Sequence, residues 1–196
     1  MKKTLAICAA AALLLASGCH YHESRNADGT GKNVRIDTPL GGLHVRAGST
    51  NAADVGLPAY PGATTVPDKD GDKSADVHMG FGKWQLRVQV VNYQTSDPRD
   101  KVLDFYQKAL GRYGDVIRCQ NGHPVGTPTV TRDGLSCSSD HVQTRNVDLD
   151  EGLMLKAGSR HHQHILGIEK PDGPGTRFAL IELQLPVSLD SGGKSQ

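Results

Sequence analysis

The sequence predicts an α+β fold: an antiparallel sheet with one helix across a face, preceded by a small N-terminal β-hairpin and a Pro/Gly-rich arm. Three observations point there. "WQLRVQV" places apolar Trp84, Leu86, Val88 and Val90 opposite polar Gln85, Arg87 and Gln89, the two-residue period of a strand. "PRDKVLDFYQKALG" sets Val102, Phe105, Tyr106, Ala109 and Leu110 at helical spacing. Later apolar runs are short and parted by turn residues, as in "KPDGPGT". A sheet that is apolar on one side needs such a helix to cover it.

In chain order, residues 1–18 read as a signal peptide. Lys2 and Lys3 precede an uncharged, Ala- and Leu-rich run that ends in small residues. The run is shorter than the roughly 20 residues of a membrane-spanning helix. Residues 19–33 are polar and read as a flexible tether. Residues 34–74 hold the hairpin, with Gly41-Gly42 in its turn, and then an extended arm. Pro58, Pro61 and Pro67 stiffen that arm, and Leu57 and Tyr60 serve as its apolar anchors.

Residues 75–187 form the main α+β domain. Its first long strand changes phase at Val91 and Tyr93, which implies a bulge or cover on both faces. Asp97 is placed to cap the helix and Pro98 to open it. Further strands fall at about 152–158, 163–169 and 177–185 by their apolar runs. Residues 188–196 read as a disordered tail.

The segment Ala16-Ser17-Gly18-Cys19 resembles the lipobox of bacterial lipoproteins. Leu15 lies one place earlier than the Leu commonest in that motif. The resemblance implies that the Cys19 thiol receives a diacylglycerol, that residues 1–18 are removed and that the new amino group is acylated. Each buried CH₂ adds about 0.8 kcal/mol, so two or three chains hold firmly where one does not. His20, in place of the Asp that retains lipoproteins in the inner membrane, implies the outer membrane on its periplasmic side; in a cell with one membrane, the anchor faces outward. A weaker resemblance, carried by "LPAYPGA", "VLDFYQKAL" and "HILGIEK…GTRFALIELQL", is to uncharacterised bacterial secreted proteins and lipoproteins.

Composition narrows the partners. Without Lys2 and Lys3, 20 of the 22 basic residues remain against 21 acidic ones. Near-neutral charge makes no case for nucleic acid, or for anionic lipid beyond the anchor. Of four cysteines, Cys8 leaves with the signal and Cys19 carries lipid. Cys119 and Cys137 remain as an even pair in an oxidising compartment, and a disulfide between them is expected.

Four segments have residue types suited to chemistry. Asp68, Asp70 and Asp72 occupy alternate positions of a Ca²⁺ loop, but Lys73 stands where Gly is required and Met79 where a bidentate Glu is required. They read as a solvated acidic turn. In "SRHHQH", His162 and His164 share one strand face with His161 opposite. Two such imidazoles bind Zn²⁺ when a third ligand joins them; Asp140 or His141 are candidates, and the plainer reading is an exposed His-rich turn. "GLSCS" lacks the final Gly of a nucleophile elbow, and Asp148 and Asp150 read as solvated. Phe81, Trp84, Phe105 and Tyr106 line either the core or an apolar groove.

The expectation is therefore a membrane-anchored, non-enzymatic lipoprotein with an envelope or partner-binding role, no cofactor and no resident metal. A metal-dependent envelope hydrolase using His162 and His164, or a small-ligand carrier, is the alternative.

Overall fold

A computed structural model describes residues 19–25, 31–67, 71–137, 149–169 and 173–186. The strands are β1 (His20–Arg25), β2 (Lys32–Thr38), β3 (Gly41–Ala47), β4 (Thr64–Thr65), β5 (Ser74–Phe81), β6 (Trp84–Thr95), β7 (Val116–Gln120), β8 (His123–Pro124), β9 (Leu149–Gly158), β10 (His162–Glu169) and β11 (Thr176–Gln184). All belong to one antiparallel sheet in the order β1-β2-β3-β5-β6-β11-β10-β9-β7-β8, and β4 adds to β6. Among the described residues there is one α-helix, α1 (Arg99–Leu110), followed by a 3₁₀ turn at Gly111–Tyr113.

α1 lies where its stripe predicts, with Val102, Leu103, Tyr106 and Leu110 buried. They pack on Leu153, Leu155, Leu166, Phe178, Leu180, Val91 and Tyr93 from four strands. Each such side chain stabilises by about 1.5–3 kcal/mol when fully buried. Pro98 stands at the N-cap without a side-chain cap. Asp97 does not cap the helix. Its carboxylate instead accepts from Tyr60 Oη at 2.8 Å and from Lys101 Nζ at 3.0 Å.

The phase change in β6 now has a cause. Register against β11 is continuous from Thr95 to Arg87, so there is no bulge in this pairing. Odd-numbered residues face the helix side throughout. They are apolar at Val91 and Tyr93, under α1, and polar at Gln85, Arg87 and Gln89, beyond its reach. Trp84, Leu86, Val88 and Val90 occupy the opposite face.

Residues 48–63 bring Ala52, Val55, Leu57 and Tyr60 into the same buried cluster as α1. Between β2 and β3 the connection is Pro39-Leu40, and Gly41 and Gly42 sit inside β3. Gly41 pairs with Phe81 across the strand pair, and a Cβ there would strike the Gly80 carbonyl. A side chain has no room at that crossing. His20–Arg25, within the segment read as tether, pairs residue for residue with β2.

The pair Cys119–Cys137 is a disulfide with Cα atoms 5.5 Å apart. Cys119 lies on β7. Cys137 lies beyond the isolated bridge Val130↔Ser136 rather than on a second sheet strand. Both cysteines are buried with Ile117 and Leu135 in a small cluster of their own, against Met154.

One buried charge ties the sheet's first half together. Asp76, 4% exposed, receives Arg46 Nη2 at 2.7 Å and Arg87 at 3.0 Å from the strands on either side. Burial alone raises its pKa, but the hydrogen bonds from the Arg87 and Arg46 guanidiniums outweigh burial and hold it below the usual carboxylate value. A depressed folded pKa adds stability above the unfolded value of about 4, and that stability is lost as pH falls through the folded value. Asp76→Asn is expected to cost about 1–3 kcal/mol at neutral pH in urea unfolding. The gap to wild type should close as the pH is taken below 4; a gap that persists in acid would contradict the assignment.

Candidate functional site

Register extends the polar pattern of β6 to the strands on either side of it, from β10 to β2. On the helix side, His162, Gln184, Arg87, His78, His44 and Arg35 face one another in sequence across six strands. The adjacent row runs His164, Glu182, Gln89, Asp76 and Arg46. Neither α1 nor residues 48–63 fill the β1–β5 part of this face, where a groove of about 640 Å³ is lined by His22, His44, His78, Arg35, Arg46 and Arg87 among others. His44 and His78 rings meet edge to face at 6.2 Å. Asp37 accepts from Arg35 Nε at 2.6 Å and lies 3.2 Å from His44 Nε2. These contacts, Arg35 first, hold its carboxyl below the usual range.

The opposite face is apolar. Along β2, β3, β5 and β6 it presents Ile36, Leu43, Val45, Val77, Leu86 and Val88, all half-buried. On β10 and β11 the same face is buried, at Ile165 and Ile181. Phe81, 49% exposed, packs on Trp84 at its edge, with ring centroids 6.0 Å apart. Phe105 and Tyr106 sit on α1 instead, Tyr106 buried in the main cluster and Phe105 half-buried against it. The four aromatics therefore do not line one groove, because β-alternation sends the first pair to the face away from the helix.

At the other end of the polar row, His162, His164 and Glu182 converge. Their donor atoms all lie within 4.8 Å of one another. His164 and Glu182 are direct partners across β10 and β11, and His162 is two residues away on the same face. His162 Nε2 is 2.6 Å from Glu182 Oε1. Gln184 Nε2 donates to the same oxygen at 3.0 Å. With its amide nitrogen turned toward the carboxylate, Gln89 donates to Glu182 Oε2 at 2.7 Å.

His164 is 3% exposed. Its Nδ1 donates to the Val55 carbonyl at 3.0 Å, and its ring stacks on Tyr113 at 3.6 Å. Tyr113 Oη in turn donates to the Gly56 carbonyl. Burial, as the leading cause, lowers the His164 pKa, so the ring is neutral at neutral pH.

The sequence-derived pair His162 and His164 is thus brought together, and Glu182 joins it. The sequence reading missed Glu182. Its signal was a lone carboxylate in the apolar run "ALIELQL". His161 is half-buried, and its carbonyl accepts from Leu185 N at 2.8 Å. Asp72 is described and exposed. Asp68, Asp70, Asp140, His141 and Asp148 lie outside the described residues, as does the side chain of Asp150. Cys19 is exposed and immediately precedes β1.

Comparisons with protein-family models, with curated proteins and with solved structures found no match to the chain.

Proposed function

We propose that this protein is a membrane-anchored lipoprotein, acylated at Cys19, with a non-enzymatic role: its sheet receives a partner in the cell envelope. Outer-membrane attachment on the periplasmic side is part of the proposal. The observation that carries it is Cys19 itself, which ends a lipobox-like segment and stands exposed at the start of edge strand β1. The Cys119–Cys137 disulfide fits an exported chain. Among the described residues, no helix is long and apolar enough to cross a membrane. The half-buried apolar face of β2–β6 supports the partner-binding part of the reading, because exposed apolar patches mark interaction surfaces.

Metabolic labelling with palmitate tests the anchor. Wild type is expected to incorporate label, and Cys19→Ala to incorporate none and to leave the membrane fraction. Equal labelling of the two would contradict the proposal.

A further inference from the structure

We propose that His162, His164 and Glu182 bind one divalent transition-metal ion of the Zn²⁺ class. This goes beyond the anchor and does not depend on it. The donor set is two imidazoles and one carboxylate, which suits Zn²⁺ and its neighbours rather than Ca²⁺ or Mg²⁺, whose sites are built from oxygens.

Two features favour a built site over an incidental cluster. The first is the tautomer of His164. A carbonyl only accepts, so Nδ1 carries the proton facing Val55 and Nε2 keeps its lone pair. A hydrogen bond from the non-ligating nitrogen to a carbonyl is how metal-bound histidines are oriented, and the Tyr113 stack fixes the ring plane. The second is the carboxylate. Gln184 and Gln89 donate to its two oxygens, holding it in place as outer partners of a ligand do.

His162 is the movable member. Its side chain is 51% exposed, and it now hydrogen-bonds Glu182. Bonds of about 2.0–2.2 Å place tetrahedral ligands about 3.4 Å apart. Rotation of His162 away from Glu182 makes room for the ion between them. His162 itself borders a shallow recess beside Lys83, Gln85 and Gln184. Arg87 and Arg112 act against the ion electrostatically, since the first lies near Glu182 and the second near His164. The Glu182 carboxylate must outweigh them.

The test uses the full chain extracted in detergent, without a histidine tag, and titrated with Co²⁺ and then Zn²⁺. Wild type is expected to bind about one Co²⁺ per chain with the visible absorption of a low-symmetry site, and to release it to Zn²⁺. His162→Ala, at an exposed position, and Glu182→Gln, which keeps the side chain's shape, should each weaken binding about 100-fold. His44→Ala, four strands away along the same row, should leave it unchanged. Circular dichroism confirms folding, and if Glu182→Gln unfolds, His162→Ala decides. No stoichiometric binding by wild type, or binding unchanged in folded His162→Ala, overturns the proposal. Cys19→Ala should bind the metal as wild type does, so failure of the anchor and failure of the metal site are read separately.

Discussion

Phe178→Ala is expected to cost about 3–5 kcal/mol in urea unfolding, the largest loss of any single substitution considered. Phe178 is fully buried on β11, at the meeting point of sheet, helix and the 48–63 segment. It stacks on Tyr93 at 5.7 Å and meets Tyr106 at 5.6 Å and Tyr60 at 6.2 Å. Those partners come from β6, α1 and the 48–63 segment, so truncation opens a cavity that no one element can collapse to fill. The penalty is then lost transfer energy plus the cavity term. With total stabilities of about 5–15 kcal/mol, such a loss leaves little margin. Phe81→Ala is the control. Its ring is half in solvent and outside the main cluster, so its cost should stay below about 1 kcal/mol. Similar costs for the two would mean that the aromatic cluster under α1 does not organise the fold.

Loss of the Cys119–Cys137 bond is expected to cost about 3 kcal/mol. The cysteines are 18 residues apart, and the loop they close is rich in Gly, Pro and Thr. Freed in the unfolded chain, such a loop regains the entropy that the crosslink removes. In the folded state its role is local: it holds Leu135 over Ile117 at the β7 edge of the sheet. The double variant Cys119→Ala/Cys137→Ala should therefore unfold at lower urea with the sheet intact. Reductant should shift wild type to the double variant's midpoint, and do so slowly, because both sulfurs are buried. If full reduction, verified by thiol alkylation, leaves the midpoint unmoved, the crosslink contributes nothing to stability.

The helix was legible in the sequence because its signal is local. Val102, Tyr106 and Leu110 recur every four residues, and burial follows that period. The antiparallel sheet with one helix was legible for the same reason, through alternation within each run. Strand order was not. β6 lies between β5 and β11, a pairing across more than 80 residues that no short window contains. The apparent phase change at Val91 shows the limit clearly: alternation reports which residues are covered, and cover comes from a distant helix. Asp97 shows another. Its position fits a cap, yet Tyr60 and Lys101 compete for its carboxylate.

The candidate site was half legible. His162 and His164 share a face by spacing alone. Glu182 reaches them because of β10–β11 register, and Val55 reaches His164 from more than 100 residues away. The row of His78, His44 and Arg35 had no sequence signature at all, because each residue is isolated in its own strand.

The proposed anchor is tested most directly by the mass of the N-terminal peptide from protein extracted from membranes. The account predicts a peptide beginning at Cys19 and heavier by a diacylglycerol and an amide-linked acyl chain. An unmodified peptide beginning at Met1, or a Cys19 free of lipid, would contradict it.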